Sequence, residues 1–497
     1  MRSLLQGLTT QTIPPIPIAG ISCHSKQVKP GEVFVAVRGP HHDGHAFLDE
    51  AIQRGAVAVV VERLPYGWVP PEASLRGPVI LVQDTRRSLP ILAARFYGEP
   101  ATRLQFIGVT GTNGKTTTTY LLKSILEASG QGVGLLGTVT YQIGERTLPS
   151  INTTPGALEL QRLLSKMVEQ RLRWCVMEVS SHALDQDRID GVRFEAAVFT
   201  NLGSDHLDYH QTRERYAQAK RKIFSSLRPT GTAVINADDP YGATLLASLK
   251  ALPYHTQEGE ESAQGRAVRV RNILCTWQGA SLVIDSPWGT FPLNSPLVGR
   301  HNVANMAAAC AASLSVGVPV EAIQQGMANF LQVPGRMERI ANDTGITAVI
   351  DYAHTADALR LVLLSLRELV RGRLIVVFGC GGDRDQTKRP VMGQLASLLA
   401  DVVVLTSDNP RSEDPLEIIH QIKSGCLTDV RDLHVVVDRE EAIRTALSIA
   451  KPDDAVLIAG KGHEAYQIFD HVTVPFSDRD VVERALGVKL TRVVAVH

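Results

Sequence analysis

Short runs of β-branched and other apolar residues recur along the chain, separated by longer segments whose apolar positions repeat at helical spacing. That alternation predicts an α/β fold. In residues 1–98 strands are expected at "GEVFVAV", "AVAVVVE" and "GPVILVQD". A second block, 99–332, opens at "LQFIGVTGTNGKTTTTYLLKSILEASG", where an apolar strand feeds a Gly-rich loop. Tyr120, Leu121, Ile125 and Ala128 mark the apolar positions of the helix that follows. Further strands are expected at "RWCVMEVS", "AAVFTN" and "GTAVINADD", each with polar residues just after it, and "HNVANMAAACAASLSVG" reads as a helix of small residues. Pro334-Gly335 marks a joint before the third block, 333–497, with strands at "ITAVIDY", "LIVVFG", "DVVVLT", "LHVVVD" and "AVLIAG".

Composition narrows the class. A chain of 497 residues exceeds what one hydrophobic core serves. Lys plus Arg equals Asp plus Glu, 51 each, which argues against a broad nucleic-acid-binding surface. No apolar run reaches the length of a membrane span, and the N-terminus lacks the pattern of a secretory signal. The six cysteines are scattered without a CxxC pair, which fits reduced thiols in a cytoplasm.

The strongest local chemistry is "GVTGTNGKTT", residues 108–117. Glycines let backbone N–H groups converge on phosphate oxygens at a helix N-terminus, with Lys115 as a cation and the Thr116 hydroxyl as a Mg²⁺ ligand. The spacing departs from the usual P-loop, with five residues between Gly108 and Gly114, and a plain glycine turn is the bland alternative. Glu178 ends an apolar strand on the side where open α/β sheets bind ligands; it is either a metal ligand or a strand-end salt bridge. "SDHLDYH" offers Asp205, His206, Asp208 and His210 as metal or phosphate contacts, or as solvated loop residues. "YAQAKRKIF" passes as the exposed face of a basic helix, and its spacing does not single out Lys220.

In order along the chain, "GVTGTNGKTT", "EVSSHAL", "SDHLDYH", "YAQAK", "GRHNVAN", "VPGRMERI" and "DYAHTADAL" resemble the Mur ligases, ATP-dependent amide-forming enzymes that build the peptidoglycan stem peptide. The resemblance covers essentially the whole chain. It implies an N-terminal UDP-binding α/β domain (1–98), a central P-loop ATPase-like α/β domain (99–332) and a C-terminal Rossmann-like α/β domain (333–497). Within the family, "INTTPGALEL", "GCGGDRD", "SDNPR" and "AGKGHE" resemble members that join meso-2,6-diaminopimelate to the D-Glu γ-carboxylate of UDP-MurNAc-L-Ala-D-Glu through an acyl phosphate.

The resemblance also implies roles. Gly111, Thr112, Asn113, Gly114, Lys115, Thr116 and Thr117 would hold ATP phosphates, with Asn302, Arg336 and Asp351 near its adenine, phosphate and ribose. Lys115, Glu178, His206 and Lys220 would be catalytic. Thr116, Glu178, His206 and Lys220 would bind two Mg²⁺ ions, Lys220 as a CO₂-derived carbamate (N6-carboxylysine), which turns a cationic side chain into an oxygen ligand. Ser25, Asn152, Thr153, Thr154, Ser180, Gln186 and Arg188 would contact the UDP-MurNAc dipeptide. His24 and Lys26 replace the family's usual Asp and Arg.

"TSDNPRSEDP", after the run "DVVVL", is a turn by its local chemistry. The resemblance gives it a substrate: Asp408, Asn409, Pro410 and Arg411, with Arg384, Gly460 and Glu464, would bind diaminopimelate. That acceptor differs from lysine by a second carboxylate, which Arg411 would pair with. Because Arg336 and Asp351 fall in the third block, closure between domains is expected. The expected partners are small molecules only, with no nucleic acid and no membrane, and the protein is expected to be a monomer. Competing readings are a lysine-adding ligase, a folylpolyglutamate-synthase-like ligase, and a P-loop ATPase switch without ligation.

Overall fold

The computed structural model describes residues 1–39, 42–69, 77–257, 266–427 and 432–488. The chain divides into two compact units, one of Met1–Gly108, Gln131–Ala197 and Ala219–Gly231, the other of Val109–Gly130, Val198–Gln218 and Thr232–His497.

In the first unit the three expected apolar runs join a strand the sequence reading did not name, Gly20–Ser22, in a parallel sheet in the order Gly20–Ser22, Glu32–Val35, Ala58–Val61, Val79–Leu81. Parallel strands covered on both faces bury successive side chains in opposite directions, which is why the runs are continuous and not alternating. Val33, Val35, Ala58, Val60 and Ile80 pack into one core, while Phe34, Val59 and Val61 pack into another on the opposite face. Thr85–Phe96 follows the last strand as a helix, its N-terminus capped by Asp84, which accepts from the Arg87 amide. The same unit holds Trp174–Glu178 parallel to Val133–Leu136, extended by the antiparallel strands Thr140–Ile143 and Arg146–Pro149.

In the second unit the helix Lys115–Ala128 packs against Arg300–Ser315 and Val320–Ala328. The small-residue segment is a helix as expected, and alanines on nearly every side of it are buried. Gly326 lets the helices approach closely: a Cβ there would lie 2.5 Å from Ile125 Cα, and Ser124 Oγ donates to its carbonyl at 2.7 Å. Val268–Thr276, Gly279–Ser286 and Gly289–Ser295 form an antiparallel meander to which the sequence pattern had assigned no strands. Val268, Val270, Leu282, Ile284, Phe291 and Leu293 are buried and alternate with more exposed neighbours, a period-2 pattern that the reading of apolar runs passed over.

The C-terminal sheet, also in the second unit, runs in the order Glu338–Ile340, Thr347–Asp351, Ala455–Ala459, Leu374–Phe378, Val402–Leu405, Leu433–Val435. All pairs are parallel except the first. The five strands expected from sequence are present. Leu374, Val376, Val403, Leu405 and Leu457 pack on one face, and Ile375, Val377, Val404, Val456 and Ile458 on the other.

All six cysteines are free. Among the described residues no helix is long and apolar enough to cross a membrane. Leu457 has no exposed surface, so Leu457→Ala should destabilise its unit by about 2–5 kcal/mol. A lowered urea midpoint with an unchanged slope is the expected result.

Candidate active site

The residues singled out by sequence fall into three clusters. The first is the glycine loop. Strand Gln105–Thr110 ends at Gly111 (φ 149°), and Gly114 (φ 85°) starts the helix Lys115–Ala128. Positive φ is the conformation that glycine reaches without steric cost. The loop is held from outside: the Thr112 amide donates to the Asn201 carbonyl at 2.9 Å and the Asn113 amide to Asn201 Oδ1 at 2.9 Å. Thr200 Oγ1 donates to the Asn113 carbonyl at 2.6 Å. Lys115 Nζ folds back on the carbonyls of Gly111 and Thr112, at 3.0 and 2.8 Å.

Asn302 is buried, with its amide engaged internally: Nδ2 donates to the Val298 carbonyl and Oδ1 accepts from Asn305 Nδ2, both at 2.8 Å. Asn305, absent from the sequence-derived set, is the residue that lies against Gly114. Arg336 reaches the same helix start, with Nη2 3.3 Å from Thr116 Oγ1 and its guanidinium 4.6 Å above the Tyr352 ring. Its buried Nε has no hydrogen-bond partner among the described residues. Asp351 braces the turn behind Arg336, accepting from the amides of Met337 and Ala353 at 2.7 and 2.8 Å. Burial raises its pKa despite the opposing pull of Arg336 and these two amides.

His206 sits at φ 55° at the start of the short helix Leu207–His210, partly exposed, with Nε2 3.4 Å from Asp205 Oδ2. Burial would raise the Asp205 pKa, but His206, His354 and Lys115 together hold it below the usual range.

The second cluster lies in the other unit. Glu178 is fully buried and accepts from Thr138, from its amide at 2.7 Å and its hydroxyl at 3.0 Å. A Cβ on Gly137 would collide with this carboxylate. Thr138 Oγ1 is also 3.1 Å from Thr153 Oγ1, so one threonine joins Glu178 to the "INTTPG" segment. Sequence reasoning passed over Thr138, because "GTV" carries no local mark of a site. Thr154 Oγ1 donates to the Glu178 carbonyl at 2.9 Å and accepts from the Ser180 amide at 2.9 Å. Arg188 donates to Gln186 Oε1 at 2.6 and 2.9 Å and to the Thr154 carbonyl at 3.2 Å. Asn152 is tied through its backbone to the Tyr141 hydroxyl. Gln186 and Arg188 line a cleft of about 610 Å³ with His24, Gln27 and Arg38. Ser25 is buried, and its neighbours line the cleft in its place.

Lys220 departs from the exposed basic face that its surroundings suggested. It is 2% exposed, on the buried side of helix Arg213–Arg221 with Tyr216, Ala217 and Ala219. The Tyr216 and Lys220 spacing, i and i+4, was the available signal. Among the described residues no group of three or more His, Cys, Asp and Glu side chains converges as a metal site. The expected ligand set includes a threonine and a modified lysine.

The third cluster lies where three neighbouring parallel strands, Ala455–Ala459, Leu374–Phe378 and Val402–Leu405, release their carboxyl-terminal loops. Asp408 and Asn409 are buried, and Arg411 takes φ 52° at the turn. Arg411 Nη1 donates to the Gly382 carbonyl at 2.7 Å. The same nitrogen lies 3.5 Å from the Asn409 carbonyl. Arg384, in the neighbouring loop, is exposed and donates to the Asp383 carbonyl at 2.9 Å. Glu464 Oε2 accepts from Asn409 Nδ2 at 3.0 Å and from Lys461 Nζ at 2.9 Å, while Tyr352 OH lies 3.4 Å from Oε1. Lys461 has no exposed surface and also reaches Asn409 Oδ1 at 3.1 Å. This cation, absent from the sequence-derived set, balances Glu464. At Gly460 (φ 112°) a Cβ would lie 2.6 Å from Asp408 Oδ2, so glycine lets the two loops meet.

Residues 17–97 match the Mur ligase family catalytic domain, 109–313 the Mur ligase middle domain, and 335–462 the Mur ligase glutamate ligase domain. The chain belongs to the Mur ligase family. A family member from Gloeobacter violaceus, UDP-N-acetylmuramoyl-L-alanyl-D-glutamate–2,6-diaminopimelate ligase, is 46% identical over 488 residues, covering 98% of this chain and 97% of its own. A solved structure of a ligase with the same name superposes with TM-score 0.68 at 35% identity, covering 98% of each chain. The MurF ligase of Thermotoga maritima in complex with ADP shares the fold, with TM-score 0.64 at 22% identity over 96% of this chain and 98% of that one.

Gly114→Ala tests the loop. Placing an L side chain at φ 85° costs about 1–2 kcal/mol, and its Cβ would strike Asn305 Oδ1. The expected result is a lower melting temperature and loss of the upward shift that Mg-ATP gives the wild-type protein.

Proposed function

We propose that this protein is a cytoplasmic ATP-dependent ligase that joins meso-diaminopimelate to the D-Glu γ-carboxylate of UDP-MurNAc-L-Ala-D-Glu. The observation that carries the acceptor assignment is the gathering at one sheet end of the Arg411 guanidinium, Asn409, which it approaches, and Glu464, which Asn409 holds. A diaminopimelate side-chain end is a zwitterion, and a cation beside an anion matches it. Nearness to relatives with this activity supports the same reading. We assign the acceptor to Arg384, Asp408, Asn409, Pro410, Arg411, Gly460 and Glu464. The dipeptide precursor is assigned to Ser25, Asn152, Thr153, Thr154, Ser180, Gln186 and Arg188. Domain limits of 1–98, 99–332 and 333–497 are part of the proposal, and the three family matches fall inside them.

In the reaction, a γ-carboxylate oxygen attacks the terminal phosphorus of ATP, ADP leaves, and an acyl phosphate forms. The acceptor amine attacks the acyl carbon, and the tetrahedral intermediate expels phosphate with the amide formed. The helix-start end of the glycine loop, Gly114 to Thr117, and Lys115 are assigned to the phosphates, with Gly111, Thr112 and Asn113 shaping the loop, and the buried Nε of Arg336, without a partner among the described residues, suits an anionic oxygen. Asn302 and Asp351 are assigned to the nucleoside side. Mg²⁺ would supply charge neutralisation at the reacting oxygens, and the family resemblance assigns Thr116, Glu178, His206 and a carbamylated Lys220 as ligands of two ions. The carbamate on Lys220 is assigned from the family resemblance, and its chemical sense is that the carboxylate-like adduct is a hard oxygen ligand, which an ammonium is not. The substrates are soluble small molecules; we assign no nucleic-acid or membrane partner and a monomeric state.

Pure protein incubated with ATP, Mg²⁺, the UDP dipeptide and either diaminopimelate or L-lysine should yield only the diaminopimelate adduct by mass. Arg411→Ala should lower kcat/KM for diaminopimelate by roughly 10- to 100-fold while leaving ATP binding intact. No adduct with either acceptor sinks the assignment. Lys220→Ala should lose activity, and added short carboxylates should restore part of it. An unchanged rate in that variant removes the carbamate role.

A further inference from the structure

Arg439 and Asp478 form an ion pair with essentially no exposed surface in the C-terminal sheet domain. The guanidinium donates to both carboxylate oxygens, through Nε at 2.7 Å and Nη2 at 2.8 Å. It also donates to two backbone carbonyls, Ala459 at 2.9 Å through Nη2 and Ser407 at 3.3 Å through Nη1. Those carbonyls immediately precede Gly460 and Asp408, the starts of the two loops assigned to the acceptor.

The two strands that end there, Val402–Leu405 and Ala455–Ala459, are not hydrogen-bonded neighbours, because Leu374–Phe378 lies between them. No ladder hydrogen bond therefore sets one strand end against the other. Gly379, at the end of the middle strand, leaves the crossing open: a Cβ there would lie 3.0 Å from the Asp408 amide and would overlap the Thr406 carbonyl. Gly460 leaves a similarly narrow gap to Asp408. A shift of a few tenths of an ångström between these loops would change the distance from Asp408 and Asn409 to Glu464.

A buried ion pair contributes little net stability over an apolar substitute, so stability alone is a poor reason for its presence. A guanidinium with several donors in one plane can bridge two carbonyls and a carboxylate at once; an ammonium cannot keep that geometry. Burial would lower the Arg439 pKa, but Asp478, followed by Asp408 and Glu464, more than reverses this. Its charge is thus felt at both acceptor loops.

We propose that Arg439 and Asp478 are positioning residues for the acceptor, a buried tie that sets the spacing of the 408–411 and 460–464 loops. This deepens the diaminopimelate reading above and rests on it. Neither residue touches the acceptor.

The test is steady-state kinetics of Asp478→Asn and Arg439→Lys, varying each of the three substrates with the other two saturating, alongside thermal unfolding. The expected result is a KM for diaminopimelate raised roughly tenfold, with kcat and the other two KM values within about twofold. A merely structural pair would lower the melting temperature and the active fraction but leave that KM unchanged, which overturns the inference. A parallel rise in all three KM values overturns it too. If neither variant folds, the pair is a folding element and the inference is wrong. Wild-type protein that ligates neither acceptor removes the functional reading itself, and this inference with it; a working wild type with an unmoved variant KM removes only the inference.

Discussion

A charge taken out of water must be answered by another charge or by hydrogen bonds, and this constraint organises both units of the protein. Three carboxylates at the candidate site, buried or half-buried, have identifiable answers. Glu178 takes two donors from Thr138, Asp351 takes two backbone amides, and Glu464 is met by Lys461 and Asn409. Away from the reacting groups the same rule pairs Arg439 with Asp478 and Arg389 with Glu413. These answers fix side chains in place, which is what a site needs if its groups are to meet a charged substrate without reorganising.

The glycines serve the same end through the backbone. Gly111 and Gly114 turn the chain between a strand end and a helix start, and Gly460 brings one strand-end loop against another. A side chain at any of these positions would occupy space that a polar neighbour now holds. Polar groups and glycines therefore cluster at strand ends, while strand interiors stay apolar on both faces. Family membership follows from the whole chain, since separate matches cover 17–97, 109–313 and 335–462.

Much of the fold was legible without coordinates. Strands of the first and third blocks stood out because burial on both faces leaves an unbroken apolar run. The meander over residues 268–295 did not, because its strands alternate buried and exposed positions and so form no unbroken apolar run. At the site, the glycine loop and the "DNPR" turn were visible as motifs. Thr138, Asn305 and Lys461 were not, because each matters through a partner distant in sequence or through complete burial. Local sequence around Lys220 suggested an exposed face, since neighbouring charges at Arg215, Arg221 and Lys222 masked the buried stripe that it shares with Tyr216; only the family resemblance singled it out.

By itself, then, the order of residues determined the α/β class, most of the strands, the phosphate-loop motif and membership of a ligase family. Those are local or repeated properties, written in spacing and composition along a single segment. Tertiary structure alone decided which charges answer one another and which loops are held at a common distance. Arg439 shows why: its acceptors, at Ser407, Ala459 and Asp478, lie on three separate segments. Only folding brings them within reach of one guanidinium, and no periodicity in the chain encodes that meeting.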